Sequence, residues 1–313
     1  MKVGISSCLL GNEVRYDGQH KLDRFLRDEL GNYVEWVPVC PEVECGLPIP
    51  RESMRLVGDD PESPRLLTVR SKIDLTDKME TFVKKRLDLL AAEDLRGFVF
   101  KSKSPTSGMR GVKIYTDKGF PSKSGSGVFA REFMKRFPDV PVEDEGRLHD
   151  AGIRENFIER LFAYDRWRTF AVTDGSVPGL IRFHTRHKYL LMAHSPALLR
   201  EAGKIVAAAA KTTLQDDLAA YQSLLTKFFS LNATVKKHVN VLQHIMGYFK
   251  NTLSADEKQE LLEIIDKYAR NYVPLVVPIV LLQHYVRKYQ EPYLSTQYYL
   301  QPHPDELKLR NHV

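Results

Sequence analysis

Residues 33–52 read YVEWVPVCPEVECGLPIPRE, and the reading of this stretch decides the fold. Its first eight residues have the composition of a short strand, which stops at Cys40; Pro41, Gly46, Pro48 and Pro50 then force a loop. Upstream, KVGISSCLL (2–10) is a second short apolar strand, reaching Cys8 and breaking at Gly11. The polar loop NEVRYDGQH (12–20) follows it, and KLDRFLRDELG (21–31) has the pattern of an amphipathic helix stopped by Gly31. Downstream come a hairpin from MRLV (54–57) and LLTV (66–69), a long helix over 74–93 and the strand RGFVFKS (96–102). The loop SPTSGMRG, the strand VKIY (112–115), a Gly- and Ser-rich turn and the helix VFAREFMKRF (128–137) complete the series. Strands and helices that alternate in this way predict an α/β domain, a small three-layer, mostly parallel sheet. In such sheets ligands sit beyond the carboxyl ends of the strands, which is where Cys8, Cys40 and the SPTSG loop fall.

The character changes after a connecting helix over 149–170. From Arg182 onward the apolar residues recur at 3.6-residue spacing, giving helices near 197–211, 213–230, 234–251, 255–270 and 274–290. Ser254 with Glu257 three residues on is an N-capping signal. The expected organisation is therefore an α/β domain over 1–160 and an all-α helical domain over 161–313. A chain of 313 residues with 43% hydrophobic content can bury a core in each.

Charge divides the same way. Residues 1–150 hold 25 Lys and Arg against 25 Asp and Glu, so the net charge of +6 belongs to the second half, with 21 against 15. A basic module joined to a neutral one suits a polyanion partner, nucleic acid, bound by the second domain while chemistry is done by the first; a solvated basic surface is the alternative. No run approaches the ~18–20 apolar residues of a membrane span, and the amino terminus lacks the pattern of a secretory signal. The expectation is a soluble cytoplasmic protein with no membrane partner and no obligate protein partner.

The chain has three cysteines, an odd number that no intramolecular disulfide scheme uses up. Thiolates are soft ligands, and Cys8, Cys40 and Cys45 could hold a cubane iron-sulfur cluster whose fourth iron stays open for a ligand. Zinc would need a fourth donor, and His20 is the only histidine before His149. Three small buried core residues is the plain alternative. Glu42, two residues beyond Cys40, is placed for acid/base work at such a centre, or else pairs with Arg15 or Arg51. Ser104 and Ser107 bring hydroxyls in a tight turn, Lys101 and Lys103 precede it, and Arg15, Tyr16 and Asp17 either recognise a ligand or close a loop. In the second domain, IRFHTRHKYLLMAHSP (181–196) concentrates Arg182, His184, Arg186, His187, Lys188, Tyr189 and His194, cations and rings suited to phosphates and bases; Lys236, Lys237 and His238 form a further cluster.

The motifs SSCLLG (6–11), VRYDG (14–18), VCPEVECGLPIPRE (39–52) and KSKSPTSG (101–108) together resemble the thiouracil desulfidase (TudS) family over roughly the first 160 residues. LIRFHTRHKYLLMAHSP (180–196) resembles the YbgA-type domain fused to it in a subset of members, the arrangement of the RudS proteins that remove sulfur from 4-thiouridine in transfer RNA. The resemblance implies a [4Fe-4S] cluster with three cysteine ligands and one open iron. It also implies a non-redox replacement of thiocarbonyl sulfur by water, with tRNA as partner and free thiouracil or thiouridine as the alternative substrate. By motif position Cys8 and Cys40 match two cluster ligands, Glu42 a proton-transferring carboxylate and Ser104 a catalytic serine. Where many relatives read SPSCG this chain reads SPTSG, so Ser107 occupies the usual third-ligand position, and Cys45 stands where those relatives have glycine or an aliphatic residue. The expectation that follows is a third thiolate relocated to Cys45. The rival classes are a nucleic-acid-binding protein with a structural metal centre and a redox sensor.

Overall fold

A computed structural model describes residues 1–312. The chain divides into two compact units, Met1–Ile153 and Arg154–Val313. The division falls seven residues before the boundary read from the sequence, and Glu155 and Glu159 pair with Arg310 inside the second unit.

In the first unit β1 (Lys2–Ser6), β2 (Glu35–Val39), β5 (Phe98–Phe100) and β8 (Val142–Asp144) form an all-parallel sheet in the order β2-β1-β5-β8. Val3, Gly4, Ile5 and Ser6 are all buried, the continuous rather than alternating burial of a parallel strand covered on both faces. Gly4 is required there: a Cβ on it would lie 2.1 Å from the ring of Phe98, its partner in β5.

A second four-stranded sheet runs β4-β3-β6-β7, from β3 (Met54–Val57), β4 (Arg65–Thr68), β6 (Val112–Tyr115) and β7 (Pro121–Gly125). The α/β class is as expected, but the strands form two sheets, and the Gly- and Ser-rich turn is itself the antiparallel edge strand β7. Its side chains are mostly exposed and polar, so it carries no alternating apolar signal. The helix expected over 21–31 is instead a wide π-type turn (Phe25–Glu29) followed by a 3-10 turn (Leu30–Asn32).

Two helices complete the core of this unit, α2 (Thr76–Ala92) and α3 (Val128–Arg136). Buried Met79, Val83, Leu87 and Leu90 make the apolar stripe of α2, and Phe129 and Phe133 of α3 meet Phe98 and Phe100, with Phe98 and Phe133 centroids 4.8 Å apart. Burying each such side chain stabilises the fold by roughly 1.5–3 kcal/mol. The layer fixes the position of β5 and of the loop that leaves it. Between β2 and β3 lies the single-turn helix α1 (Pro41–Glu44), started by Pro41 at its first position.

The second unit is helical: α4 (Ala151–Thr173), α5 (Val177–His194), α6 (Pro196–Ala208), α7 (Leu214–Ser230), α8 (Val235–Met246), α9 (Ala255–Ala269), α10 (Val276–Lys288) and the short α11 (Pro292–Ser295). Its core gathers Trp167, Phe183, Tyr221, Phe228, Ile245 and Leu282. The Ser254–Glu257 capping box forms as the sequence predicts. Among the described residues no helix is long and apolar enough to cross a membrane.

Candidate functional site at the strand ends

Three chain segments leave the parallel sheet at one edge. After β1 the chain enters a 3-10 turn, Ser7–Leu10, which carries Cys8; after β2 it reaches Cys40, the residue that caps α1; after β5 it forms the 104–108 loop. They enclose a cavity of about 390 Å³ lined by Cys8, Cys40, Glu42, Ser104 and Ser107, with Arg15, Tyr16, Arg51, Lys101 and Lys103 among its other walls.

Cys8 and Cys40 are both buried. Burial pushes the Cys8 thiol up to about 11, with Lys101 opposing and Glu42 reinforcing. Burial and then Glu42 push Cys40 up to about 12. Thiols in this range keep their protons at neutral pH until a thiophilic metal displaces them. The Cys40 sulfur lies 3.5 Å from Glu42 Oε2 and 3.7 Å from the Val14 carbonyl.

Cys45 is placed differently. It stands at the far end of α1 from Cys40, half-buried against the apolar core, and its Sγ donates to the Glu42 carbonyl at 3.2 Å; burial raises its pKa as well. It does not line the cavity. Among the described residues no group of three or more His, Cys, Asp and Glu side chains is drawn together as a metal site. The structure thus brings two thiols and the Ser107 side to one cavity and leaves the third thiol at the opposite end of the α1 turn.

Glu42 faces the cavity with each oxygen engaged. Oε1 accepts from Thr106 Oγ1 at 2.6 Å, and Oε2 lies 3.9 Å from Arg51 Nη2. Of its two foreseen partners Glu42 therefore meets Arg51, while Arg15 pairs with Asp17 at 3.3 Å. Asp17 holds Arg15 from outside the cavity lining. Lys101 is neutralised by an ion pair with Glu145 and braced by Ser102 at 3.1 Å. Ser104 Oγ accepts from the backbone N–H of Ser107 at 3.1 Å and of Thr106 at 3.3 Å. Thr106 and Glu145 were not singled out from the sequence. Thr106 lay inside the motif that was, whereas Glu145 has no local signal because its partner is 44 residues away.

The second-unit motif lies on α5, and the structure sorts it by helix face. Phe183, His187, Leu190, Leu191 and His194 recur at helical spacing and are buried. His187 takes a hydrogen bond from Arg166 Nε at 3.0 Å and its Nδ1 lies 2.8 Å from the Phe183 carbonyl; burial, then Arg166, push its pKa well below the ordinary value. His194 packs against Glu159 at 3.4 Å, and His184 Nδ1 meets Tyr221 Oη at 3.1 Å. The outward face carries exposed Arg182 and Arg186 with half-buried Lys188. Arg182 is ion-paired with Asp174, and Arg186 stacks over the Tyr298 ring at 4.6 Å. His238 in the other cluster is also buried, bonded to Tyr299 Oη at 3.0 Å, while Lys236 is exposed.

Comparison with known proteins agrees with this two-part organisation. Residues 3–145 match the family described as 2-thiouracil desulfurase, and residues 188–304 match a family described as a protein of unknown function, DUF1722. The chain is 32% identical over 156 residues to the uncharacterized protein YbgA of Escherichia coli (strain K12), covering 49% of this chain and 90% of that protein. It is 29% identical over 151 residues to the uncharacterized protein YbbK of Bacillus subtilis (strain 168), covering 47% and 97%. Among solved structures, the [4Fe-4S]-dependent thiouracil desulfidase TudS is 32% identical, with 48% of this chain and 93% of that chain covered and a TM-score of 0.39.

Proposed function

The chain belongs to the family in which a 2-thiouracil desulfurase domain is joined to a YbgA-type domain, and from that premise we propose that it is a tRNA 4-thiouridine desulfidase acting in the cytoplasm. In the reaction a thiocarbonyl and water become a carbonyl and hydrogen sulfide, with no electron exchanged. The observation that carries the reading is the convergence of Cys8, Cys40, Glu42 and Ser104 on one cavity at the carboxyl edge of a parallel sheet.

The donors suit an iron-sulfur cluster: two buried, soft thiols line one cavity, and Glu42 is the one carboxylate among the lining residues, too little negative charge for a cage of Mg²⁺ or Ca²⁺ type. Cys8 and Cys40 would hold the cluster, and Cys45 would become the third thiolate only by leaving the Glu42 carbonyl and turning into the cavity. When bound, a [4Fe-4S] cluster supplies an open iron, a Lewis acid for the substrate sulfur. The remaining work falls to the protein. Glu42 takes the proton of the attacking water, Ser104 hydrogen-bonds at the reacting carbon's substituents, and Arg15, Tyr16 and Lys101 form the wall against which the pyrimidine lies. Arg51, on the same cavity wall, lies 3.9 Å from the Glu42 carboxylate and balances its charge.

The choice of tRNA over the free base rests on the second unit. Its outward Arg186 and Lys188 on α5, together with Lys236, supply cations for phosphate contact that a free base has no use for, and Arg182 beside them would have to share its charge with Asp174. Arg186, with its guanidinium carbon 4.6 Å from the centre of the Tyr298 ring, also offers a group on which a base can stack. The test is competition under anaerobic conditions between tRNA containing 4-thiouridine and free 2-thiouracil, followed by sulfide release. Turnover of the base alone would favour the small-molecule reading, and turnover of neither by cluster-loaded protein would favour a non-catalytic binding protein or a redox sensor.

A further inference from the structure

Thr106 is fully buried and does not line the cavity, yet its hydroxyl joins two groups that do. Its Oγ1 donates to Glu42 Oε1 at 2.6 Å, and the same oxygen lies 3.0 Å from Ser104 Oγ. A hydroxyl has one proton to give. Because that of Thr106 is given to the carboxylate, the Ser104–Thr106 bond can run only one way, with Ser104 donating. The acceptor side of Ser104 Oγ is filled by the backbone N–H groups of Thr106 and Ser107. In the resting site the Ser104 hydroxyl therefore donates to Thr106, and the chain Ser104 to Thr106 to Glu42 has a single direction; a bound pyrimidine would take the Ser104 proton in place of Thr106.

We propose that Thr106 is a positioning residue of the desulfidase reaction, fixing the Ser104 hydroxyl and the Glu42 carboxylate relative to one another so that both act on one bound pyrimidine. The inference rests on the functional reading above and adds a residue to it.

The local structure is built to hold this threonine still. Its loop is seated on the first turn of α3: Val128 N–H donates to the Pro105 carbonyl at 3.2 Å and Ala130 N–H to the Thr106 carbonyl at 3.1 Å, while Gly127 N–H donates to Gly108 at 2.7 Å. Residue 127 has to be glycine for this contact, since a Cβ there would lie 2.5 Å from the Thr106 carbonyl group. On the other side Glu42 Oε2 lies 3.5 Å from the Cys40 sulfur and 3.9 Å from Arg51 Nη2. Glu42 and Thr106 lie 64 residues apart, and this bond directly joins the loop after β2 to the loop after β5. A threonine with only a packing role would satisfy its hydroxyl on a nearby backbone carbonyl; here it is spent on a charge-assisted bond to a cavity carboxylate.

The experiment uses the full-length, cluster-loaded chain and four variants: Thr106→Val, Thr106→Ser, Ser104→Ala and the Thr106→Val/Ser104→Ala double. The expected result is that Thr106→Val lowers kcat by about 30- to 100-fold, at the low end of what a positioned acid/base pair contributes, with KM for the thiolated substrate within about twofold. Thr106→Ser restores most of the rate. In the Ser104→Ala background Thr106→Val costs less than about threefold, because the pair whose relative placement it fixes is already broken. Iron content, binding of the free nucleoside by equilibrium dialysis and the thermal midpoint stay close to wild type. If the two single losses multiply in the double variant, if Thr106→Val loses activity only together with iron and fold, or if it matches wild type, the proposal is overturned while the functional reading stands. Absence of turnover by the wild-type chain on either substrate overturns the reading and the proposal with it.

Discussion

Cys8 and Cys40 reach one cavity because β1 and β2 are parallel neighbours in register, with Ser6 opposite Val39, so that the chain leaves both strands at the same edge. An antiparallel pair would have sent the two thiols to opposite ends of the sheet. Parallel pairing is thus the cause of the site, and the ligand assignments follow from it.

Replacing Cys8 or Cys40 by alanine should abolish retention of the cluster after anaerobic reconstitution, read as iron and sulfide per chain and as visible absorbance. Cys45→Ala should do the same if the third thiolate swings from the Glu42 carbonyl to the cluster, and Ser107→Ala should not. Full iron content in Cys45→Ala with loss in Ser107→Ala would transfer the third ligand to the Ser107 hydroxyl, the group that lines the cavity in this structure.

Glu42→Gln and Ser104→Ala should each lower kcat by roughly 10²- to 10⁴-fold with the cluster intact, as expected for loss of a positioned acid/base group. A comparable loss of iron in either variant would instead make the residue part of the cluster's support.

Arg186→Ala combined with Lys188→Ala should weaken tRNA binding and make its logarithmic salt dependence shallower by roughly 0.7–0.9 for each phosphate contact removed, leaving turnover of a free thiolated base unchanged. His187→Ala should behave differently. Its ring is buried and bonded at both nitrogens, so the expected effect is destabilisation of about 1–3 kcal/mol, seen in the thermal midpoint.

The second unit should lose stability in acid. Burial pushes His238 from 6.5 down to about 3, and His187 is depressed in the same direction. Below pH 6.5 the unfolded histidines take up protons that the folded rings refuse. The unfolded state then binds more protons, and stability falls with pH through the window from about 6.5 to 3, by up to about 1.4 kcal/mol per pH unit for each group. Burial works against the Glu159 carboxylate, yet His194 and Arg310 hold it below its ordinary value, so its contribution is lost in the same direction at lower pH. Thermal midpoints of the full chain between pH 7 and 4 test this. His238→Gln should flatten the profile, and an unchanged profile in that variant would assign the effect elsewhere.

What was legible in the sequence followed from local pattern. Strand-end cysteines, the SPTSG loop and the capping box at Ser254 are short-range signals, and the structure carries each at the expected place in the chain. What escaped were long-range choices: the split into two sheets, the exposed edge strand β7, and the Lys101–Glu145 ion pair that removes a free cation from the cavity wall. The α5 histidines lie between these cases. Their spacing with Phe183 and Leu190 marks an inward face, whereas their residue type, suited to phosphates and bases, points to an outward one.

The central claim is tested most directly by incubating the anaerobically reconstituted full-length chain with tRNA containing 4-thiouridine, and following the thiocarbonyl near-ultraviolet absorbance and sulfide together. The account predicts loss of the absorbance with one sulfide released per thiouridine and no added reductant. Unchanged absorbance with a full cluster, or loss that requires an electron donor, would contradict it.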